Sequence, residues 1–162
     1  MLTRRHLLLG GAAGLAIGYM ALHRPTPAQA ATYPVNLTDV QWKSRLTPTQ
    51  YIILRKAGTE IPFTSPLLNE HRPGFFACAG CNQDAFSSRT KFDSGTGWPS
   101  FWQPLPKAVV TRNDRSIGMD RTEVLCSKCG GHLGHVFDDG PKPTGLRYCM
   151  NGAAMVFHPG AV

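Results

Sequence analysis

The chain has 162 residues, with 17 Lys and Arg against 10 Asp and Glu and a formal charge of +7. That length suits one domain with a single core. Beyond residue 30 the basic residues are scattered, with Arg55-Lys56 their only adjacent pair, which argues against the clustered cationic face of a nucleic-acid binder. Thr3-Arg4-Arg5 precedes an uncharged run from Leu7 to Leu22, and Ala28-Gln29-Ala30 follows a Pro-containing stretch. A basic start, an apolar middle and a small-residue end predict a secretory signal over residues 1–30. The paired arginines resemble a twin-arginine signal, which implies export by that machinery to the periplasm. An uncleaved membrane anchor is the competing reading, but the run is shorter than the roughly 20 residues a span needs. Without residues 1–30 the domain keeps 132 residues, and the formal charge falls to +4 because Arg4, Arg5 and Arg24 leave.

Residues 31–36 read as an extended lead-in to two short helices. Thr38-Asp39-Val40-Gln41 and Thr47-Pro48-Thr49-Gln50 have the spacing of a capping box, in which the Thr hydroxyl accepts from the third amide and Gln reaches back. Pro48 sits where a helix has no donor to lose. Tyr51 to Lys56 continues the second helix, and Gly58 is placed to end it. From Phe75 onward, short runs rich in Val, Phe and Tyr alternate with Gly, Pro and Asp. Gly74–Cys78, Ala108–Arg112, Arg121–Cys126 and Leu146–Met150 predict a mainly β fold of antiparallel sheets.

The five cysteines divide into two pairs and a single residue. Cys78-Ala79-Gly80-Cys81 and Cys126-Ser127-Lys128-Cys129 are separated by 44 residues. Two such knuckles supply four soft thiolates, the tetrahedral set that structural Zn2+ prefers. The long spacer requires the sheet to bring them together. Two disulfides, favoured by an oxidising destination, and a pair of redox dithiols are the rival readings. Cys149 has no partner left. In Leu146-Arg147-Tyr148-Cys149-Met150-Asn151, strand alternation places Leu146, Tyr148 and Met150 on one face and Arg147, Cys149 and Asn151 on the other. The second face puts a thiol between a permanent cation and an amide. An ordinary thiol is only a few per cent thiolate at neutral pH, so a nucleophile needs such a neighbour. A passive strand cysteine is the alternative.

Four segments together resemble the B-type methionine sulfoxide reductases. They are Lys91 to Phe101, Gly131 to Pro141, Arg147 to Asn151 and the paired knuckles, and the match runs from about Val40 to Phe157. The resemblance implies a β-tent-like fold of two packed sheets with a zinc site, and reduction of the R epimer of methionine sulfoxide. It implies that Cys149 attacks the sulfoxide sulfur and becomes a sulfenic acid. His132 and His135 would line the pocket, with His135 protonating the oxygen. Arg147 would stabilise the thiolate, and Asn151 and Asp139 would position the imidazoles or a water. Trp98, Phe137 and Asp139 would form the substrate site. The rival roles are zinc ligation for the two histidines, core packing for Trp98 and turn formation for Asp139. His71 and His158 fall outside the matched motifs.

Many relatives carry a second, resolving cysteine where this chain has Thr96. With four cysteines on zinc, a one-cysteine cycle follows, regenerated by an external thiol such as a thioredoxin-like protein. Thr96 itself is given no catalytic role. The expected substrates are oxidised proteins or free methionine-R-sulfoxide, in a monomeric repair enzyme of the oxidative stress response. A peroxide reductase would also need an activated cysteine but gives no reason for Trp98 and two histidines. A zinc-ribbon binding module would leave Cys149 idle.

Overall fold

The structure, a computed structural model, describes residues 32–162 apart from Ile117. The predicted signal over residues 1–30 lies outside the described residues. Among those described, no helix is long and apolar enough to cross a membrane.

Helix α1 (Asp39–Arg45) and helix α2 (Pro48–Lys56) both begin in complete capping boxes, closed by Gln41 and Gln50. The sequence placed the stop of α2 at Gly58, but Ala57 takes the left-handed turn, with φ 53°. Gly58 follows it because a Cβ there would lie 2.8 Å from Ile52 Cγ2. The requirement at Gly58 is therefore close approach, and the positive φ is borne by its neighbour.

Among the described residues, nine strands form two antiparallel sheets. The smaller has the order β2 (Asp84–Ser87), β1 (Gly74–Cys78), β9 (Met155–Pro159). The larger runs β3 (Lys91–Phe92), β4 (Ser100–Phe101), β8 (Arg147–Met150), β7 (His132–Phe137), β6 (Arg121–Cys126), β5 (Val109–Asp114). Periodicity located β1 and β6 at their observed bounds and β5 and β8 to within two residues. The short strands β2, β3, β4 and β9, and the His-Gly-rich β7, were not predicted.

Phe76 and Phe86 from the small sheet pack on Phe101 from the large one, at ring-centroid distances of 4.9 and 4.5 Å. Val124, Leu133 and Met150 join them in the core, fully buried. Trp42, Ile53 and Leu54 extend this core from the helices, and α2 packs against β7.

Strand β7 carries the irregularity that matters for function. Val124 pairs with Gly134 but Leu125 with His132, so Leu133 is an extra residue, a β-bulge. In a regular strand His132 and His135, three apart, would point to opposite faces. The bulge corrects the parity, and the two rings meet with centroids 5.3 Å apart. Gly134 permits the close approach of β7 to β8, because a Cβ there would lie 2.1 Å from the Cys149 carbonyl oxygen. Gly134→Ala is expected to destabilise the domain by about 3 kcal/mol. Gly160→Ala, with nothing within 4 Å of the added carbon, should stay within about 0.5 kcal/mol. Urea denaturation of both variants checks this.

Candidate active site

Register across the large sheet lines up one row of residues. Arg112 pairs with Glu123, Glu123 with His135, His135 with Cys149, and Cys149 with Ser100. Directly opposed residues share a face with Cβ atoms about 5 Å apart, so five strands contribute one side chain each to a continuous polar row.

Around Cys149 the row opens into a cavity of about 140 Å3 lined by Thr59, Trp98, Arg121, Gly134, His135, Phe137, Cys149 and Asn151. Five predicted site residues therefore meet there: Trp98, His135, Phe137, Cys149 and Asn151. His132 lies buried behind His135, with 3 % of its surface exposed. Arg147 sits over Phe137, its guanidinium 4.4 Å from the ring centroid. A larger groove of about 580 Å3 beside α2 contains no thiol or imidazole.

The imidazoles have partners that the sequence reading missed. His132 Nδ1 lies 2.7 Å from Glu123 Oε1, and Glu123 also receives the Arg112 guanidinium. His135 Nε2 lies 2.8 Å from Asp114 Oδ2, which also accepts from Arg121 Nη2 at 2.6 Å. Each ring is thus backed by a carboxylate, and each carboxylate by an arginine. Arg112 and Asp114 are two apart on β5, as Arg121 and Glu123 are on β6. Opposite charges at that spacing on paired strands were the available signal.

Asp139 and Asn151, expected to position the imidazoles or a water, make their side-chain hydrogen bonds to other protein groups. Asp139 accepts two hydrogen bonds from Arg147, each 2.8 Å. Asn151 Oδ1 accepts from the Glu60 amide at 2.9 Å, and its Nδ2 donates to the Leu133 carbonyl at 3.2 Å. Glu60 returns the contact, its carboxylate accepting from the Gly152 and Ala153 amides. The Glu60 carbonyl also accepts from Trp98 Nε1 at 3.1 Å. The clasp fixes the Thr59-Glu60 rim and the indole against the end of β8.

Burial lowers the His135 pKa, and the hydrogen bond to Asp114 opposes it. Arg147 is raised, first by its hydrogen bonds to Asp139 and further by the Cys149 sulfur beside it. The site can therefore present a sulfur between a fixed cation and an imidazole whose hold on its proton burial has weakened. Thr96 is also here: its Oγ1 lies 3.7 Å from Cys149 Sγ.

The four remaining cysteines form a separate buried cluster. All four sulfurs lie within 4.8 Å of one another, with Cys78 Sγ 3.7 Å from Cys129 Sγ and Cys81 Sγ 3.5 Å from Cys126 Sγ. A disulfide needs about 2.05 Å, so none is formed. Thiolates held about 2.3 Å from one tetrahedral metal ion would themselves be just under 4 Å apart, which fits these separations. The donor set is complete without either histidine, so the cluster could hold a metal ion through sulfur alone.

Asp114→Asn is expected to lower the His135 pKa further, because it removes the interaction that opposes burial. A histidine titration followed by NMR checks the direction, and an unchanged or raised value would contradict it.

The comparisons with known proteins agree with this geometry. The SelR domain family model matches residues 46–159. Peptide methionine sulfoxide reductase MsrB of Leptospira interrogans is 58% identical over 126 residues, covering 77% of this chain and 96% of that protein. The protein of the same name from Agrobacterium fabrum is 56% identical over 126 residues, covering 77% and 93%. That from Thiobacillus denitrificans is 57% identical over 123 residues, covering 75% and 93%. A matched domain carrying the thiol, both imidazoles and the sulfur cluster, with this identity along most of its length, places the chain in the SelR-domain family of B-type peptide methionine sulfoxide reductases.

Proposed function

We propose that this chain reduces the R epimer of methionine sulfoxide, protein-bound or free, through the thiolate of Cys149. The observation that carries the reading is the pairing of His135 directly across from Cys149 at the wall of a cavity shared with Trp98.

The thiolate sulfur attacks the electrophilic sulfoxide sulfur while His135 delivers a proton to the oxygen, which otherwise leaves poorly. Oxygen passes to Cys149 and methionine departs. The substrate sulfur is reduced by two electrons, and Cys149 is oxidised to a sulfenic acid. Two external thiols then return it to the thiol, giving a disulfide and water. Arg147, steadied by Asp139, places positive charge beside the thiolate. Trp98 and Phe137 supply apolar walls for the substrate's thioether end, a contact that suits a polarizable sulfur. His132 braces His135, and Asn151 keeps the rim closed. The reductant is a thioredoxin-like protein or another thiol. Zinc is the ion for Cys78, Cys81, Cys126 and Cys129, in keeping with four soft ligands; when bound it supplies a structural crosslink. The chain acts as a monomer in envelope protein repair, exported by the twin-arginine route; the N-terminal pattern supports that placement.

A single-turnover assay with each epimer tests the chemistry. One equivalent of methionine from the R epimer, with one added oxygen on Cys149 by mass analysis, is expected. Cys149→Ser should lower that turnover about a thousandfold or more. A preference for the S epimer, or for peroxide over either, would defeat the assignment.

Metal content is a second test. Elemental analysis should return one zinc per chain. Structural zinc contributes on the order of 10 kcal/mol, comparable with the whole stability of a domain, so a strong chelator should unfold the protein cooperatively by circular dichroism. Retention of the native spectrum after complete metal removal would refute the structural role.

A further inference from the structure

The contact from Thr96 to Cys149 is one end of a chain of hydroxyls. Thr96 Oγ1 lies 2.8 Å from Ser94 Oγ, and Ser94 Oγ lies 2.7 Å from Ser100 Oγ. Ser100 Oγ lies 3.1 Å from the Trp98 carbonyl, to which it donates. Ser100 is fully buried and pairs across the sheet with Cys149. The chain is thus anchored by a buried residue of the catalytic row and ends on the reacting sulfur.

A carbonyl accepts only, so with a thiol at Cys149 the protons point one way. Ser100 donates to Trp98, Ser94 to Ser100, Thr96 to Ser94, and the S–H faces Thr96. An oxygen or negative charge at Cys149 reverses the last link, and Thr96 then donates towards it. One neutral bond in the chain is exchanged for one to an anion, which is about twice as strong. Thr96 contacts the sulfur without being one of the residues that line the cavity. An attacking thiol and a departing oxygen must lie roughly in line across the sulfur. A thiol that enters through the vacated cavity therefore needs the oxygen turned away from the cavity, and the Thr96 hydroxyl is a donor at the sulfur that does not line it.

We propose that the Thr96–Ser94–Ser100 hydroxyl chain receives the departing oxygen when an external thiol regenerates Cys149. The step rests on Cys149 being the nucleophile. In it the S–S bond to the external thiol forms and the Cys149 S–O bond breaks. The external thiol gives up its proton, and the oxygen leaves as water. A second external thiol then releases the disulfide. Thr96 touches the reacting sulfur and donates to the leaving oxygen, and Ser94 and Ser100 are positioning residues behind it.

The test compares two phases in the metal-loaded full-length enzyme: the single-turnover burst of methionine, and steady-state recycling with dithiothreitol. Thr96→Val, which keeps the shape and loses the hydroxyl, should slow recycling about tenfold more than it slows the burst. The sulfenic acid should accumulate, trapped by dimedone and read by mass. Thr96→Ser should restore recycling, and Ser94→Ala should share the defect in the same phase. Equal slowing of both phases by Thr96→Val, or no slowing of recycling, overturns the proposal. A burst that survives Cys149→Ser would instead remove the nucleophile assignment, and the proposal with it, without reference to the Thr96 variants.

Discussion

Four sulfurs gathered within 4.8 Å of one another are the constraint on which the rest of the molecule leans. Cys78 ends β1 in the small sheet, and Cys126 ends β6 in the large one. Cys81 and Cys129 lie in the turns that follow. The cluster therefore joins the two sheets at one corner, and each of the two turns contributes two sulfurs to it. The Cys126–Cys129 turn leads directly into β7, with its bulge after His132. A chain entering β7 from a loose turn could slip by one residue, and a slip of one exchanges the faces of every side chain. A metal ion held by these sulfurs would pin the turn and so protect the parity that brings two imidazoles to the side of Cys149.

The polar face of the large sheet works because its charges come in closed sets. Burial alone would raise the Glu123 pKa, but hydrogen bonds from His132 and Arg112 outweigh it, so the carboxylate is lowered. Asp114 is also held low, first by hydrogen bonds from Ser116 and also by His135. An unpaired buried charge would cost several kcal/mol. Here each carboxylate has an imidazole on one side and a guanidinium on the other. The arrangement orients both rings, since a nitrogen committed to a carboxylate leaves the other free to face elsewhere. Arg147 and Asp139 extend the same logic to β8, with a salt bridge that is half in water and half against Phe137.

What the sequence made legible follows from which forces act locally. Capping boxes, paired knuckles and the alternation around Cys149 are short-range patterns, and each corresponds to a local interaction at the predicted residues. Gly58 illustrates the limit of such rules. The turn residue was sought by its freedom at positive φ, while packing on Ile52 placed the glycine one position later. The partners of His132 and His135 lie 9 and 21 residues away, and only sheet register brings them close. The partners of Asp139 and Asn151 were likewise beyond local pattern: Arg147 lies 8 residues on from Asp139, and Glu60 lies 91 residues before Asn151. Thr96 was read by what it lacks, a sulfur, when its hydroxyl is what the neighbouring serines engage.

The five cysteines show how far placement governs chemistry. Four are buried with one another for company, where a shared cation is the natural way to keep them all ionised. The fifth is only partly buried, on a strand whose neighbours place a hydroxyl, an imidazole and a guanidinium around it. A thiol that reacts must be reached by substrate and reductant in turn, and a thiol that holds metal must be reached by neither. The sheet satisfies both demands by keeping the knuckles at its turns and Cys149 in mid-strand. Moving the Cys149 sulfur into a turn would free it from the cross-strand row, and its ring, cation and hydroxyls could no longer meet it together.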